Sequence, residues 1–453
     1  MAGIRIASVS GVRGVVGDGL DPAIVADFTA AYASGQPRGP IVVGHDGRVS
    51  APVFLPAVLS AVAATGRDAL LAGPVATPTL GRLVVDLKAA GGVQISASHN
   101  PPKYNGLKFF QPGGMVLGPI EGRAMLDRLE ARALDWASWD GLGKIRTLEE
   151  PDGRHLDLVL ATVDVESIRR RKFAVALDAC HGSGGRLGEA LLRALGCEPV
   201  VLGAVPDGRY DHPPEPTEAN LRRFAALVPA LGAAVGFAQD PDADRLAIVD
   251  ESGRYIGEEL TLALAASHRL SQAVGPVILN LSTSRVAEDI AARFGCPVIR
   301  TPVGEIHVVE GMRAHSAILG GEGNGGVIDP RVGFVRDSFV AMALVLDLLA
   351  KSGRKLSDLV DDLPRYAMVK DQYPLGDSTA SPAELFDRIE ASHPEARADR
   401  RDGLRLDWPD RWAHVRASNT EPIVRVIAEA ADLVTARSTA DQLGRRVLAG
   451  RDS

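Results

Sequence analysis

Cysteine is scarce in this 453-residue chain, and the three present, Cys180, Cys197 and Cys296, fall in or beside apolar strand-like segments with no metal-ligand spacing. That pattern excludes a disulfide framework and a thiolate metal centre, and it points to buried thiols in a reducing compartment. Also missing is any run of basic residues. The 50 Lys and Arg are dispersed among 57 Asp and Glu, for a formal charge of −7, so the chain advertises neither a nucleic-acid nor a membrane surface and must meet anionic ligands locally. No uninterrupted apolar run is long enough to cross a bilayer, and Met1-Ala2-Gly3-Ile4-Arg5 lacks the basic and apolar regions of a secretory signal, so a cytoplasmic location is expected. The longest apolar stretch, Phe339 to Ala350, is short and carries Asp347, which predicts a buried helix against a sheet.

What the chain does contain is a design used three times: a β-rich run, a polar or glycine turn, an amphipathic helix, a glycine and another β-rich run. The copies are Ile41 to Leu71, with Gly66 closing the helix; Phe173 to Leu202, with Gly196; and Val277 to Ile299, with Gly295. Each reads as a right-handed βαβ unit. The tail differs, since runs around Leu404 to Leu406, Trp412 to Val415 and Ile423 to Ile427 lead into a final helix. The expected fold is therefore α/β, three similar α/β domains with mixed sheets flanked by helices plus a smaller C-terminal α+β domain, with boundaries at 1–150, 151–252, 253–363 and 364–453.

Two loops carry chemistry. Ser96-Ala97-Ser98-His99-Asn100-Pro101-Pro102-Lys103-Tyr104-Asn105-Gly106-Leu107-Lys108 follows a strand end, and Pro101-Pro102 forbids a helix after it, which predicts Ser98 at an exposed turn open to phosphorylation. The same residues also fit an ordinary Ser/Asn/Pro loop whose hydroxyls bond their own backbone. The second loop, Asp240-Pro241-Asp242-Ala243-Asp244-Arg245, lies between two strand-like runs. In an extended chain its three carboxylates would point the same way and repel unless a cation sat among them. Oxygen-only ligation favours a hard ion, and Mg2+ suits phosphate chemistry best; a solvated acidic turn partnered by Arg245 is the alternative.

With two further segments, Gly321-Glu322-Gly323-Asn324-Gly325-Gly326 and Arg416-Ala417-Ser418-Asn419-Thr420-Glu421-Pro422, these loops occur in an order that resembles the alpha-D-phosphohexomutases. The resemblance covers nearly the whole chain, including Ser10 to Gly17 around Arg13 and the loop Thr301 to Glu305. It implies four domains around a central cleft, a phosphoryl group carried on Ser98, and one Mg2+ bound by Asp240, Asp242, Asp244 and that phosphate. It also implies a hexose 1,6-bisphosphate that serves as intermediate and activator. Lys108 and Arg245 are plausible cations at the transferring group, and Arg13 a lesser phosphate contact. Arg416, Ser418, Asn419 and Thr420, with Arg425 nearby, supply a fork, hydroxyls and turn amides suited to a second, fixed phosphate, or else form a plain turn between strands. By resemblance Glu322 reads sugar hydroxyls, with Asn324 beside it.

Two departures from the family pattern matter. His45 stands where an arginine usually precedes the Asp of its segment. Gly326 stands where many bacterial members place a histidine general base, leaving His99, Lys108 and Glu305 as substitutes. An acidic Glu305 could instead pair with the amino group of a glucosamine phosphate. The leading expectation is phosphoglucosamine mutase chemistry, interconverting the 6- and 1-phosphates of glucosamine. Phosphoglucomutase/phosphomannomutase activity is the alternative, and a non-catalytic sugar-phosphate sensor or a phosphatase the readings from other classes. Expected partners are small phosphosugars, with the chain a monomer or homodimer that closes over substrate about hinges near Leu363-Pro364.

Overall fold

The computed structural model describes residues 5–8, 11–374, 381–417 and 423–449. Its sheets number eight, four, four and five strands in chain order. In each of the first three, the expected βαβ unit is present. Strand Ile41–His45 pairs in parallel with Ala69–Pro74 across helix Ala51–Ala64, Ala174–Asp178 with Glu198–Leu202 across Gly185–Ala194, and Val277–Asn280 with Val298–Thr301 across Val286–Arg293. Glycines 66, 196 and 295 take φ of 75°, 72° and 65°, the left-handed geometry that ends a helix without a Cβ penalty. Each of these sheets also holds an antiparallel pair, and the turns of those pairs carry the chemistry: Gly91–Ile95 with Tyr104–Phe110, Val235–Gln239 with Leu246–Asp250, and Leu319–Glu322 with Gly326–Ile328. The last sheet is wholly antiparallel, in the order Ala367–Pro374, Ile423–Ala430, Arg411–Ala417, Leu404–Asp407, Arg397–Asp399, and packs against helix Leu433–Ala449.

Helix Ser338–Ser352 is apolar on all sides because it lies inside one continuous core shared by the second and third units. The Oδ2 atom of its Asp347 is held there by His268 Nε2 and Lys351 Nζ, both at 2.8 Å. A buried relay joins all three units: Thr79 Oγ1 lies 2.8 Å from His155 Nδ1, and His155 Nε2 lies 2.8 Å from Asp337, which also caps helix Ser338–Ser352. The three cysteines are free and buried. Among the described residues, no helix is long and apolar enough to cross a membrane.

Candidate functional site

The serine loop and the Asp loop meet face to face. Ser98 Oγ donates to Asp240 Oδ2 at 2.7 Å, joining residues 142 positions apart. Contrary to the sequence expectation, Ser98 is 1% exposed: the Asp loop covers it, and the buried Arg48 guanidinium holds it from behind. Arg48 donates to the carbonyls of Ser98, Asn100, Pro101 and Tyr104 while its Nε pairs with Asp46 at 3.0 Å. Four backbone acceptors on one rigid fork force the loop into a tight curl, and Ser98 sits at φ 49°, a left-handed conformation sparsely used by non-glycine residues.

The Asp loop is not extended either. Asp240 to Asp244 form a turn closed by Ala243 N–H donating to Asp240 C=O at 2.9 Å, with Ala243 at φ 54°. The carboxylates converge by turning rather than by strand alternation, and one oxygen from each lies within 4.8 Å of the others. All three are buried. Burial and its two acidic neighbours push the Asp240 carboxyl well up. Burial pushes Asp242 and Asp244 the same way, but Lys108 holds Asp242 down, and Arg336, Lys108 and Arg245 hold Asp244 down. Lys108 Nζ sits 2.5 Å from Asp242 and 3.0 Å from Asp244, contacts that outweigh its own burial and keep it charged. Among the described residues, Asp242 Oδ1 and Asp244 Oδ1 accept no hydrogen bond although both are buried. Two orphaned carboxylate oxygens beside a third carboxylate fit a hard divalent cation, which would satisfy them.

His99 Nδ1 lies 3.2 Å from Ser98 Oγ. The charge of Arg245, then burial, then Arg13 drive its pKa well below the ordinary value, so the ring is held neutral. Arg13 Nη1 donates to Asn100 Oδ1 at 2.9 Å, which places the N-terminal arginine on the serine loop. Arg245 lies with its Nε 3.7 Å from Asp244.

Arg336, unremarked in the sequence, ties the Asp loop to the glycine-rich loop Gly321 to Gly326. Buried in the turn before helix Ser338–Ser352, it pairs through Nη2 with Asp244 at 2.7 Å and through Nη1 with Glu322 at 2.5 Å. Glu305, expected near the substrate, accepts instead from Arg336 N–H at 2.7 Å, with its other oxygen 3.6 Å from Arg336 Nε. Its carboxylate therefore orients the arginine. Glu322 also accepts from Asn280 Nδ2 at 2.8 Å and Gly304 N–H at 3.2 Å, which fixes its plane.

Beyond Glu322 opens a cavity of about 150 Å³ between the glycine-rich loop and the C-terminal sheet. Asn324, Arg416 and Arg425 line it, as do Lys370, His414 and Glu259, which sequence reasoning did not single out. Glu259 and Lys370 pair across it at 3.2 Å. His414 accepts from Ser282 on Nδ1 and donates to the Asp402 carbonyl from Nε2, and burial lowers its pKa to about 4. Arg416 Nε donates to Asp402 at 2.8 Å. Ser418, Asn419 and Thr420 lie outside the described residues. No local signal marks Arg336, Lys370 or His414, because each gains its place from elements far away in the chain.

A serine buried against a carboxylate triad, facing a glycine-rich loop and an arginine-lined cavity, is the arrangement of an enzyme that moves phosphoryl groups on a sugar. Four domain profiles of one family match in order: the phosphoglucomutase/phosphomannomutase alpha/beta/alpha domains I, II and III at residues 5–133, 153–253 and 257–366, and its C-terminal domain at 377–445. The chain belongs to the phosphoglucomutase/phosphomannomutase family. A phosphoglucomutase/phosphomannomutase from Thermococcus kodakarensis is 37% identical, covering 93% of each chain. A protein named as a probable phosphoglucosamine mutase from Methanopyrus kandleri is 34% identical, covering 96% of this chain and 95% of that one. The crystal structure of a phosphoglucomutase/phosphomannomutase family protein from Burkholderia thailandensis superposes with a TM-score of 0.86 at 26% identity, over 98% of this chain and 97% of the other.

Proposed function

We propose that this phosphosugar mutase interconverts glucosamine 6-phosphate and glucosamine 1-phosphate through a phosphoserine at Ser98 and a hexose 1,6-bisphosphate intermediate. The observation that carries the reaction type is the 2.7 Å contact between Ser98 Oγ and Asp240 inside a triad with two orphaned carboxylate oxygens. Asp240, Asp242 and Asp244 would hold Mg2+, which supplies Lewis-acid neutralisation of charge on the phosphoryl group and makes the serine oxygen an acceptable leaving group.

The chain's own residues do the rest. The phosphoryl group passes from Ser98 Oγ to a free sugar hydroxyl: the phosphorus–serine bond breaks, a phosphorus–sugar oxygen bond forms, and the hydroxyl proton goes to a neighbouring base. His99 is that base: its imidazole is neutral, and its Nδ1, 3.2 Å from Ser98 Oγ, can pass the proton on to the serine oxygen as that oxygen leaves. Lys108 is bound as a charged partner by two carboxylates and acts electrostatically instead. After the bisphosphate turns over, the other phosphate returns to Ser98 and the proton is given back. Arg416 and Arg425 hold whichever phosphate is not reacting, and Glu322 receives the sugar hydroxyls.

Glucosamine is favoured by the likeness to the Methanopyrus protein, and glucose or mannose by the likeness to the Thermococcus one. With Glu305 engaged by Arg336, the carboxylates nearest the cavity are Glu322 and Glu259, the latter having its pKa raised to about 6 by burial. Parallel assays of 1-to-6 phosphate interconversion on glucosamine, glucose and mannose phosphates, with Mg2+ and bisphosphate primer, decide the matter. A kcat/KM advantage for glucosamine phosphate that vanishes in Ser98→Ala supports the assignment. A preference for glucose or mannose moves it to the alternative, and turnover that survives Ser98→Ala refutes the phosphoserine route.

A further inference from the structure

A second basic cavity, of about 290 Å³, lies where the third α/β unit meets the edge of the C-terminal sheet, apart from the residues that line the sugar cavity. Five arginines line it: Arg285 and Arg300 from the third unit, and Arg397, Arg401 and Arg405 from the last hairpin of the C-terminal sheet. Three carboxylates, Glu288, Asp399 and Asp407, stand against them, so the lining carries two positive charges in excess.

Most of these cations are spent. Arg405 pairs with Asp407 and donates to the Leu281 carbonyl, Arg401 makes a fork with Asp399, and Arg285 reaches Asp407 and the carbonyls of Trp408 and Arg411. Two guanidinium edges are left over. Arg300 has a side chain only 10% exposed, and its Nη2 is buried with no hydrogen-bond partner among the described residues, although its Nε pairs with Glu288 at 2.6 Å. Arg397, with an 87% exposed side chain, has only a 3.9 Å approach to Asp407 and can swing over the mouth. An unsatisfied buried donor of this kind has a cost that a hydrogen-bonded anion removes. The crowding is also visible in Arg405, whose pKa is lowered to about 10 by burial and then by the charge of Arg300.

We propose that this cavity is an effector site for a phosphate dianion, held by Arg300 from within and Arg397 from the rim. A fork of guanidinium donors matches phosphate oxygens in charge and geometry, and the two arginines belong to different units, so the ligand fastens the C-terminal domain to the third. The cavity is wired to the sugar loop. Arg300 Nη1 donates to the carbonyls of Asn280 at 2.7 Å and Thr283 at 2.8 Å; Asn280 Nδ2 in turn holds Glu322, and Thr283 Oγ1 accepts from Gly323 N–H at 3.1 Å. An anion that pulls on Arg300 therefore acts on the residues that orient the sugar-reading carboxylate, and by linkage the affinity for sugar phosphate changes with it.

The test is calorimetric titration of the full-length protein, kept saturated with the hexose 1,6-bisphosphate, using inorganic phosphate and, separately, the non-substrate ester 3-phosphoglycerate. One remaining site is expected, weakened on the order of tenfold or more in Arg300→Met and in Arg397→Gln. Binding of phosphate alone marks the free ion as effector, and binding of the ester alone marks a phosphorylated metabolite. Arg397→Gln, at an exposed position, should keep normal turnover without added anion and lose the anion's effect on KM. No binding of either probe, or binding that both substitutions leave unchanged, overturns the proposal. The binding readout does not depend on which sugar the enzyme turns over.

Discussion

Replacing Arg336 by methionine keeps the length of the side chain and deletes the one charge shared by three carboxylates. Two charge-assisted bonds are lost, to Asp244 at 2.7 Å and to Glu322 at 2.5 Å, each worth about 1.5–3 kcal/mol. Their sum, about 3–6 kcal/mol, brackets the cost of removing one partner from a buried ion pair. Glu305 trims it. Burial already raises its pKa and Arg336 holds it back, so without the arginine its carboxyl moves further up and less charge is left unpaired. If about half of the remaining loss falls on the transition state, kcat/KM drops about 10- to 100-fold. Metal affinity should move the opposite way, because Arg336 competes with a cation for Asp244. We therefore expect Arg336→Met to reach half-maximal turnover at lower Mg2+ while turning over far more slowly and unfolding at lower denaturant. Arg336→Lys should fall between, since one ammonium reaches one carboxylate. Wild-type kcat/KM together with unchanged unfolding in Arg336→Met would refute the view that this arginine links the two loops.

Arg48→Met should cost about 3–5 kcal/mol in denaturant unfolding, because it strands the buried Asp46 and frees four carbonyls of the serine loop; native-like stability would remove Arg48 as the loop's anchor. Gly325→Ala places a Cβ 2.3 Å from the Leu246 carbonyl at φ 82°; with about 1–2 kcal/mol of left-handed strain and about 1–3 kcal/mol of overpacking, it should raise KM for the sugar phosphate, and an unaltered KM would count against docking of the sugar loop on the metal-loop strand. Burial raises the Glu259 carboxyl from its ordinary 4.5 to about 6. The folded state thus holds its proton more tightly, and the stability this contributes is present at pH 4.5 and lost as pH rises to 6. Relative to wild type, Glu259→Gln should gain up to about 2 kcal/mol of unfolding free energy between pH 4.5 and 7, and a difference that stays flat or runs the other way would contradict the assignment.

Much of the fold was legible because its signals are local. A β-rich run, an amphipathic helix and a closing glycine lie within about thirty residues of one another, and the three copies of that pattern form the three parallel units seen. The apolar stretch around Phe339 forms a buried helix for the same reason. Of the candidate site residues, the structure brings Ser98, His99, Lys108, Arg13 and the three Asp residues together around one point, and Glu322, Asn324, Arg416 and Arg425 around a second. Two local geometries were misread. Ser98 looked exposed because Pro101-Pro102 says only that the chain turns, whereas its burial depends on a loop 142 residues away. The Asp triad looked extended because spacing by two suits a strand, but Ala243 in the left-handed region curls it.

By itself, then, the sequence determined the elements, the turns between them and the chemical groups each turn carries, since these depend on neighbours a few positions apart. Which groups act together was decided only by packing of the four units. Arg336 and Asp244 are 92 residues apart, Lys108 and Asp242 are 134 apart, and the Arg300 cavity is shared by two domains. In each case the free energy that selects the partner arises when charges leave water together, a condition met only in the assembled tertiary structure.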